Sequence, residues 1–415
     1  VAYALIAYQT AWLKHYYPAD FMAAVLSADM QTTDKVVINI EESREIGVTM
    51  SPPDVNRGDY RFVPDTPLSI VHGLGAIKGL GEGPVEAIVE ARLLNGEFKD
   101  LFDLCERVDP RKVNKRAVEA LIGCGALDGL VTVESRPDTD PIDYKRGILY
   151  ANFEDAVRAA EQRSRNVEAG HTDLFGDDIL GGFGAGSSSR YNHFDTLQCM
   201  TFRERLQREK ETLGIYLTGH PLETYREELQ HLAKTRINDL RVSKDEQTIV
   251  GLIVDMRTMK SKKGDTIAFI TLDDRSGRLE VSVFADLFEQ HHEKLKTDAV
   301  VVVKGSTAVD DFTGGIRLRA SEVYDLMGAR ERSIKCLRVM LDASLLGREF
   351  ATELADILSP YRGVTGEGCP VAVGYQRTDA TGEINLGDDW RVQPSDDLIQ
   401  NLRDAYGVEQ VSLDY

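Results

Sequence analysis

The stretch with the most chemical promise is VHGLGAIKGLGEGPVEAIVEAR, residues 71–92, which sets Gly73, Gly75, Gly79, Gly81 and Gly83 in a short span. It then enters a helical pattern: Ala87, Ile88 and Ala91 share one face, Glu86 and Glu90 the other. Pro84 fits the first helical position, where a missing N–H removes no hydrogen bond. Glycine tolerates positive φ and has no Cβ, so the Gly79-Leu80-Gly81 turn lets backbone N–H groups reach an anionic oxygen. The helix N-terminus behind it adds partial positive charge. A helix-hairpin-helix grips a DNA phosphate in this way, without reading sequence. Gly79, Leu80, Gly81 and Gly83 are therefore candidates for duplex phosphate contact, with a plain glycine turn between packed helices as the alternative.

Three further groups could bind. Arg107, Arg111, Lys112, Lys115 and Arg116 cluster ahead of a helix expected over Asn114 to Ile122, closed by Gly123-Cys124-Gly125. This shape echoes the first unit as a degenerate second hairpin, with Arg111, Lys112, Lys115 and Arg116 at its entry; a solvated helix face is the alternative. Lys260, Lys262 and Lys263, together with Arg278, Phe284, Arg317 and Arg319, combine basic loops with an aromatic, as single-strand binders do. His171-Thr172-Asp173-Leu174-Phe175 precedes a glycine- and serine-rich run that reads as a linker. Its Leu-Phe pair could anchor in a partner's pocket or pin the arm to its own domain.

No nucleophile–base constellation stands out, and no catalytic residue is assigned. Five cysteines (Cys105, Cys124, Cys199, Cys336, Cys369) form no C-x-x-C pair. That argues against a zinc site and a disulfide framework, and fits a cytoplasmic location. No metal ligand and no cofactor are expected in this chain. The net charge of −19 opposes nucleic-acid binding overall, so any grip must come from local basic patches. No apolar run approaches the roughly 18 residues of a membrane span, and no membrane partner is expected.

The elements that must position these groups follow from periodicity. Residues 1 to 50 read as helical: Ala4, Leu5, Tyr8, Trp12 and Leu13 share a face expected to pack in a core. Pro18 resets the chain, and a helix from Lys35 to Ile46 ends at Gly47. Residues 129 to 147 read as loop, Pro141 included; helices are expected over Leu149–Arg165 and Thr196–Thr212. From 248 to 326 the period changes to strands: Ile249–Met256, Thr266–Leu272, Leu279–Phe284, Val300–Ser306 and Ile316–Val323. A helix, Ala285–Lys296, follows the third, which is the order of an OB-fold barrel. Its balance of 11 Lys+Arg against 13 Asp+Glu predicts a modest binder. Residues 331–415 read as β-α-β-β-α-β, with 8 Lys+Arg against 15 Asp+Glu, and suit a docking domain.

The expected class is multidomain α+β. A helical segment spans 1–50, tandem helix-hairpin-helix units 51–235, an OB-fold 236–330 and a small α+β domain 331–415. The chain lacks an initiator Met and begins inside a helical pattern, so it is expected to be part of something longer.

YALIAYQTAWLKHYYPADFMAAVLSADM (3–30), PPDVN (52–56), GAIKGLGEGPVEAIVEAR (75–92), ETLGIYLTGHPL (211–222), TLDDRSGRLEV (271–281) and DDFTGG (310–315) carry a broader likeness. Together they resemble the C-terminal part of the α subunit of bacterial DNA polymerase III, a replicative DNA polymerase. The resemblance implies the end of a fingers domain, then a hairpin domain that touches duplex DNA and binds the sliding clamp β subunit. It further implies a barrel on single-stranded template and a last domain that docks the τ subunit of the clamp loader. His171 to Phe175 falls where the family carries its clamp-binding peptide, with His171 in place of the usual Gln. The palm aspartates that hold magnesium in the parent polymerase have no counterpart here, so polymerase activity is not expected of these residues alone. Three alternatives stand beside this. One is the error-prone accessory relative, and another a non-catalytic hairpin and OB-fold DNA-binding protein. The third, an NAD-dependent DNA ligase, needs a K-x-D-G motif that is missing.

Overall fold

In the computed structural model, helix breaks follow prolines and glycines. It describes residues 2–132, 139–168, 191, 199–260, 264–309, 314–342, 350–363, 368–376 and 381–415. The chain divides into two compact units, Val1–His220 and Pro221–Tyr415. In the first, α1 (Ala2–Tyr16) gives way to α2 (Pro18–Asp29), with Pro18 in its first turn. α3 (Thr33–Glu45) ends beside Gly47, whose φ is +83°. α2 and α3 bury Met22, Leu26, Val36 and Ile40 in the core. The aromatic stripe of α1 does not follow them. Tyr3, Leu5, Tyr8 and Trp12 are exposed, because no second layer covers that face among the described residues.

A small sheet follows that periodicity did not foretell. β1 (Thr49–Ser51), β2 (Val63–Thr66) and β3 (Ser69–Val71) pair in the order β1-β3-β2, each too short to show alternation. One 3₁₀ turn, Leu74–Ala76, precedes α4 (Glu82–Asn95). α5 (Leu101–Arg107) and α6 (Lys115–Gly123) are capped by Asp100 and Asn114, whose side chains accept from Asp103 N and Ala117 N. α7 (Pro141–Glu168) starts eight residues before the expected Leu149, since Pro141 suits a first turn and Asp140 Oδ1 accepts from Ile142 N at 2.8 Å. α8 (Phe202–Leu213) starts later than Thr196, at a Thr201–Glu204 capping box, and closes on left-handed Gly214.

These helices are tied by buried charge. Arg146 on α7 is fully buried; its Nε lies 3.1 Å from both Asp128 carboxylate oxygens and its Nη1 2.9 Å from Glu209 Oε1. Glu209, equally buried on α8, also accepts from Leu217 N, Thr218 N and Thr218 Oγ1 at 2.8, 3.0 and 2.7 Å. This explains why LGIYLTGHP follows α8: the chain doubles back to satisfy the carboxylate beneath it.

In the second unit α9 (Arg226–Leu232) precedes a closed barrel. Its strands are β4 (Gln247–Lys260), β5 (Thr266–Asp273) and β6 (Arg278–Val283), then α10 (Ala285–His291), β7 (Val300–Val309) and β8 (Ile316–Asp325). The order is β4-β5-β6-β8-β7, with β6 parallel to β8. β4 closes it: the first half pairs with β7, the second with β5, and a bulge at Ile253/Asp255 lies near the changeover. α11 (Leu326–Ser333) leads to β9 (Cys336–Asp342), α12 (Phe350–Leu358), β10 (Val371–Gln376), β11 (Thr381–Asn385), α13 (Asp396–Tyr406) and β12 (Val411–Asp414). The sheet order is β11-β10-β9-β12, with β9 and β10 parallel. No described helix is long and apolar enough to cross a membrane.

His72, at the end of the small sheet, is fully buried against Phe62, with Nδ1 3.0 Å from Gly73 O. Burial pushes its pKa down from 6.5 to about 4, against the pull of that backbone bond. A depressed histidine stabilises the fold fully above pH 6.5 and loses that contribution as pH falls toward 4, because the unfolded chain takes up the proton first. Each pH step inside the window costs about 1.4 kcal/mol. Asp143, pushed up to about 6 by burial, acts in the opposite sense, so a difference measurement is needed. Urea unfolding of the natural chain and His72→Phe between pH 4 and 7 should show the natural chain losing more stability on acidification. Parallel pH curves would refute the assignment.

Candidate nucleic-acid interface

The five glycines of the hairpin stretch have three different reasons to be there. A Cβ on Gly75 would sit 2.5 Å from the Tyr60 ring, and one on Gly73 2.8 Å from backbone at Arg61 and Phe62, so these two serve packing. Gly79 has φ +85° and needs a residue without Cβ for conformation alone. Gly81 and Gly83 have ordinary negative φ, and an added Cβ at either meets nothing within 4 Å. Among the described residues nothing crowds positions 81 and 83, which leaves room for close approach from outside, and Gly81 also suits its place as a helix N-cap.

Gly81 is the N-cap of α4, and the first-turn amides of any helix lack intrahelical acceptors. They are candidate donors to an anion, and the core residues Val85, Ala87, Ile88 and Ala91 fix the helix behind them. Two details differ from expectation. Pro84 is the third helical residue rather than the first, still within the turn that needs no N–H donor. Leu80 is not a phosphate donor: its side chain is buried, and its N–H donates to Ile77 O at 3.1 Å. It is the core anchor that holds the turn open. Exposed Glu82 in the first turn tempers the positive charge there.

In the second hairpin Arg111, Lys112, Lys115 and Arg116 are all exposed around the start of α6. Lys115 is shared with Glu154 at 2.6 Å and lies over the Phe153 ring. Arg107, the fifth member of the cluster, is structural. It pairs with Asp103, donates to carbonyls of Ala91, Gly96 and Glu97, and covers the Phe98 ring.

On the barrel, cross-strand register lines up Arg257, Phe269, Ser282 and Arg319 on one outer row of β4, β5, β6 and β8. Arg257 stands 5.3 Å over the Phe269 ring and Arg319 4.4 Å over exposed Phe284. Such rings and guanidinium planes offer faces on which bases stack. Arg317 lies opposite Glu280 in the strand register, and Glu280 is ion-paired to Arg257; Arg278 is ion-paired to Asp273 at 3.2 Å. Arg257 and Phe269 escaped the sequence reading, although both occupy outward positions of the strand alternation. Lys260 is exposed at the end of β4; Lys262 and Lys263 lie outside the described residues. His171, Thr172, Asp173, Leu174 and Phe175 also lie outside them. Among the described residues no group of three or more His, Cys, Asp or Glu could hold a metal ion.

Comparison with known proteins agrees with this layout. A helix-hairpin-helix motif family matches residues 47–136, an OB-fold nucleic acid binding domain 247–326, and the DNA polymerase III subunit alpha C-terminal domain 353–407. DNA polymerase III subunit alpha of Pseudomonas aeruginosa is 48% identical over 417 residues, covering 100% of this chain and 35% of its own length. That of Vibrio cholerae is 43% identical over 416 residues, covering 100% and 34%. That of Escherichia coli is 40% identical over 419 residues, again covering 100% and 34%. The chain therefore spans about a third of the length of the curated relatives it matches.

Because Gly81 faces open space, Gly81→Val meets no clash, although Val is the poorer helix N-cap and should lower the thermal midpoint slightly. At a temperature where both chains are folded, duplex affinity should fall about tenfold, the scale of one hydrogen bond to a charged group, uniformly across sequences. A sequence-selective loss in fluorescence anisotropy would contradict a phosphate seat. On the barrel, Phe269→Ala and Phe284→Ala should each weaken an oligothymidylate by about 1–3 kcal/mol while leaving duplex binding intact. Equal loss on both DNA forms would exclude a stacking role.

Proposed function

The chain belongs to the bacterial DNA polymerase III alpha subunit family, as a counterpart of its C-terminal part, and from that premise we propose that its work is to hold rather than to catalyse. In this reading it serves chromosomal DNA replication by keeping duplex DNA, single-stranded template, the sliding clamp β subunit and the clamp-loader τ subunit together. The observation that carries it is the barrel face, where Arg257–Phe269 and Arg319–Phe284 stand outward on adjoining strands. The open glycine turn at 79–83 supports a second, sequence-independent grip on duplex.

Each contact is modest by itself, since acidic residues stand among the basic ones. Linking several weak sites on one chain raises the effective concentration of each, which gives a durable hold without any single tight interface. Clamp binding is assigned to His171–Phe175, with Leu174 and Phe175 as apolar anchors; the family resemblance of that stretch supports it. Docking of τ is assigned to 331–415, whose acidic composition and lack of catalytic constellation suit a protein partner. Nucleotidyl transfer and its magnesium ions are assigned to the part of the relatives that this chain does not span.

The 415-residue chain should bind immobilised clamp and immobilised τ separately. Replacing Leu174 and Phe175 together with Ala should lower clamp affinity at least tenfold and leave τ binding and the unfolding midpoint unchanged. Clamp affinity equal to that of the natural chain would sink this part of the proposal; failure to bind τ would sink the other.

A further inference from the structure

A groove of about 500 Å³ runs between the stretch containing α9 and the turn joining β5 to β6. Its apolar lining is Leu222, Leu229, Ala233 and Val250, and Leu229 and Ala233 pack against the small buried cluster of Val250, Val302 and Ala329. Arg226 and Arg236 line it too, both exposed, and neither has a partner among the described residues. The other charges in the lining are consumed. Glu223 is ion-paired to Arg275. Asp274 accepts from the amides of Ile237, Ser276 and Gly277 at 2.8, 2.8 and 3.1 Å. What remains is an aliphatic surface beside two free guanidinium groups.

The setting makes this combination informative. Pro221–Tyr415 carries 34 Asp+Glu against 25 Lys+Arg, so two unpaired arginines at one apolar groove depart from the background. None of the lining residues is aromatic, which removes the stacking surface that a single-stranded nucleic acid uses. The wall is also pre-organised. Glu228, next to the groove on α9, binds the buried guanidinium of Arg330 at 2.6 and 2.8 Å, so α9 cannot drift. A rigid wall reduces the ordering cost of binding.

We propose that this groove docks a short acidic–aliphatic segment of a partner protein, its aliphatic side chain against Leu229, Ala233 and Val250 and its carboxylates on Arg226 and Arg236. Charge complementarity selects the occupant, and the apolar surface favours a peptide over a bare anion. The site is separate from the outer barrel row and from the glycine turn, so it stands or falls independently of DNA binding.

The test uses the full chain and an array of hexapeptides holding two adjacent leucines between paired acidic, paired neutral or paired basic residues. Acidic peptides should be retained over neutral and basic ones. Arg226→Glu with Arg236→Glu should cut that retention at least tenfold, and Lys244→Glu, an exposed lysine outside the groove, should leave it unchanged. Both arginines are exposed, so an unchanged melting curve is expected and separates binding from folding. No preference for acidic peptides, or a preference that survives the double reversal, overturns the proposal. Loss of oligonucleotide binding in the double variant, with no peptide retained by the natural chain, would reassign the groove to nucleic acid and overturn it equally.

Discussion

A guanidinium with no access to water must be met by carboxylates at hydrogen-bonding distance, and Arg146 sets that condition for the first unit. Removing one partner from such a pair costs about 3–5 kcal/mol, because the remaining charge is left buried and unanswered. Asp128 comes from the 3₁₀ turn after α6, Arg146 from α7 and Glu209 from α8, so three segments must arrive together. Burial alone would favour neutral Arg146, but Asp128 and Glu209 outweigh it and raise its pKa. The close approach also dictates Gly125, where a Cβ would lie 2.3 Å from the guanidinium. The second hairpin is thus held from behind by charge, and its basic side chains are left to face solvent.

The second unit uses the same device in a different place. Arg330 on α11 binds Glu228 of α9, Asp396 at the start of α13 and the carbonyl of Pro394 at 3.0 Å. Burial again opposes the charge, and Glu228 and Asp396 overcome it and raise the pKa. One side chain therefore ties the segment before the barrel, the helix after it and the last domain. Within this unit the barrel face and the α9 groove are presented on a common support. Hydrophobic burial supplies most of the stability in both units, but it is indifferent to register; paired buried charges are not.

This division of labour suits a protein whose proposed role is retention. The candidate grips, made of glycines, arginines and rings at the surface, contribute little to stability and so are open to a ligand. The residues that look alike in composition split accordingly: Arg107 and Arg146 are structural, whereas Lys112 and Arg116 are open to solvent.

Much of the architecture was legible in the chain. The five barrel strands, the β-α-β-β-α-β order of the last domain and the starts of α2 and α6 follow from alternation, proline and cap residues. These are local properties, recorded within a few neighbouring positions. The candidate grips at 79–83 and 111–116 were legible for the same reason. Tertiary structure decided what depends on distant partners. It buried Leu80, left the aromatic face of α1 exposed and built a three-stranded sheet from segments too short to announce themselves. It placed Arg257 over Phe269 through strand register, and brought Arg146 to Glu209 across 63 positions. No periodicity encodes which carboxylate will meet a buried arginine, because that choice is made only where the chain packs against itself.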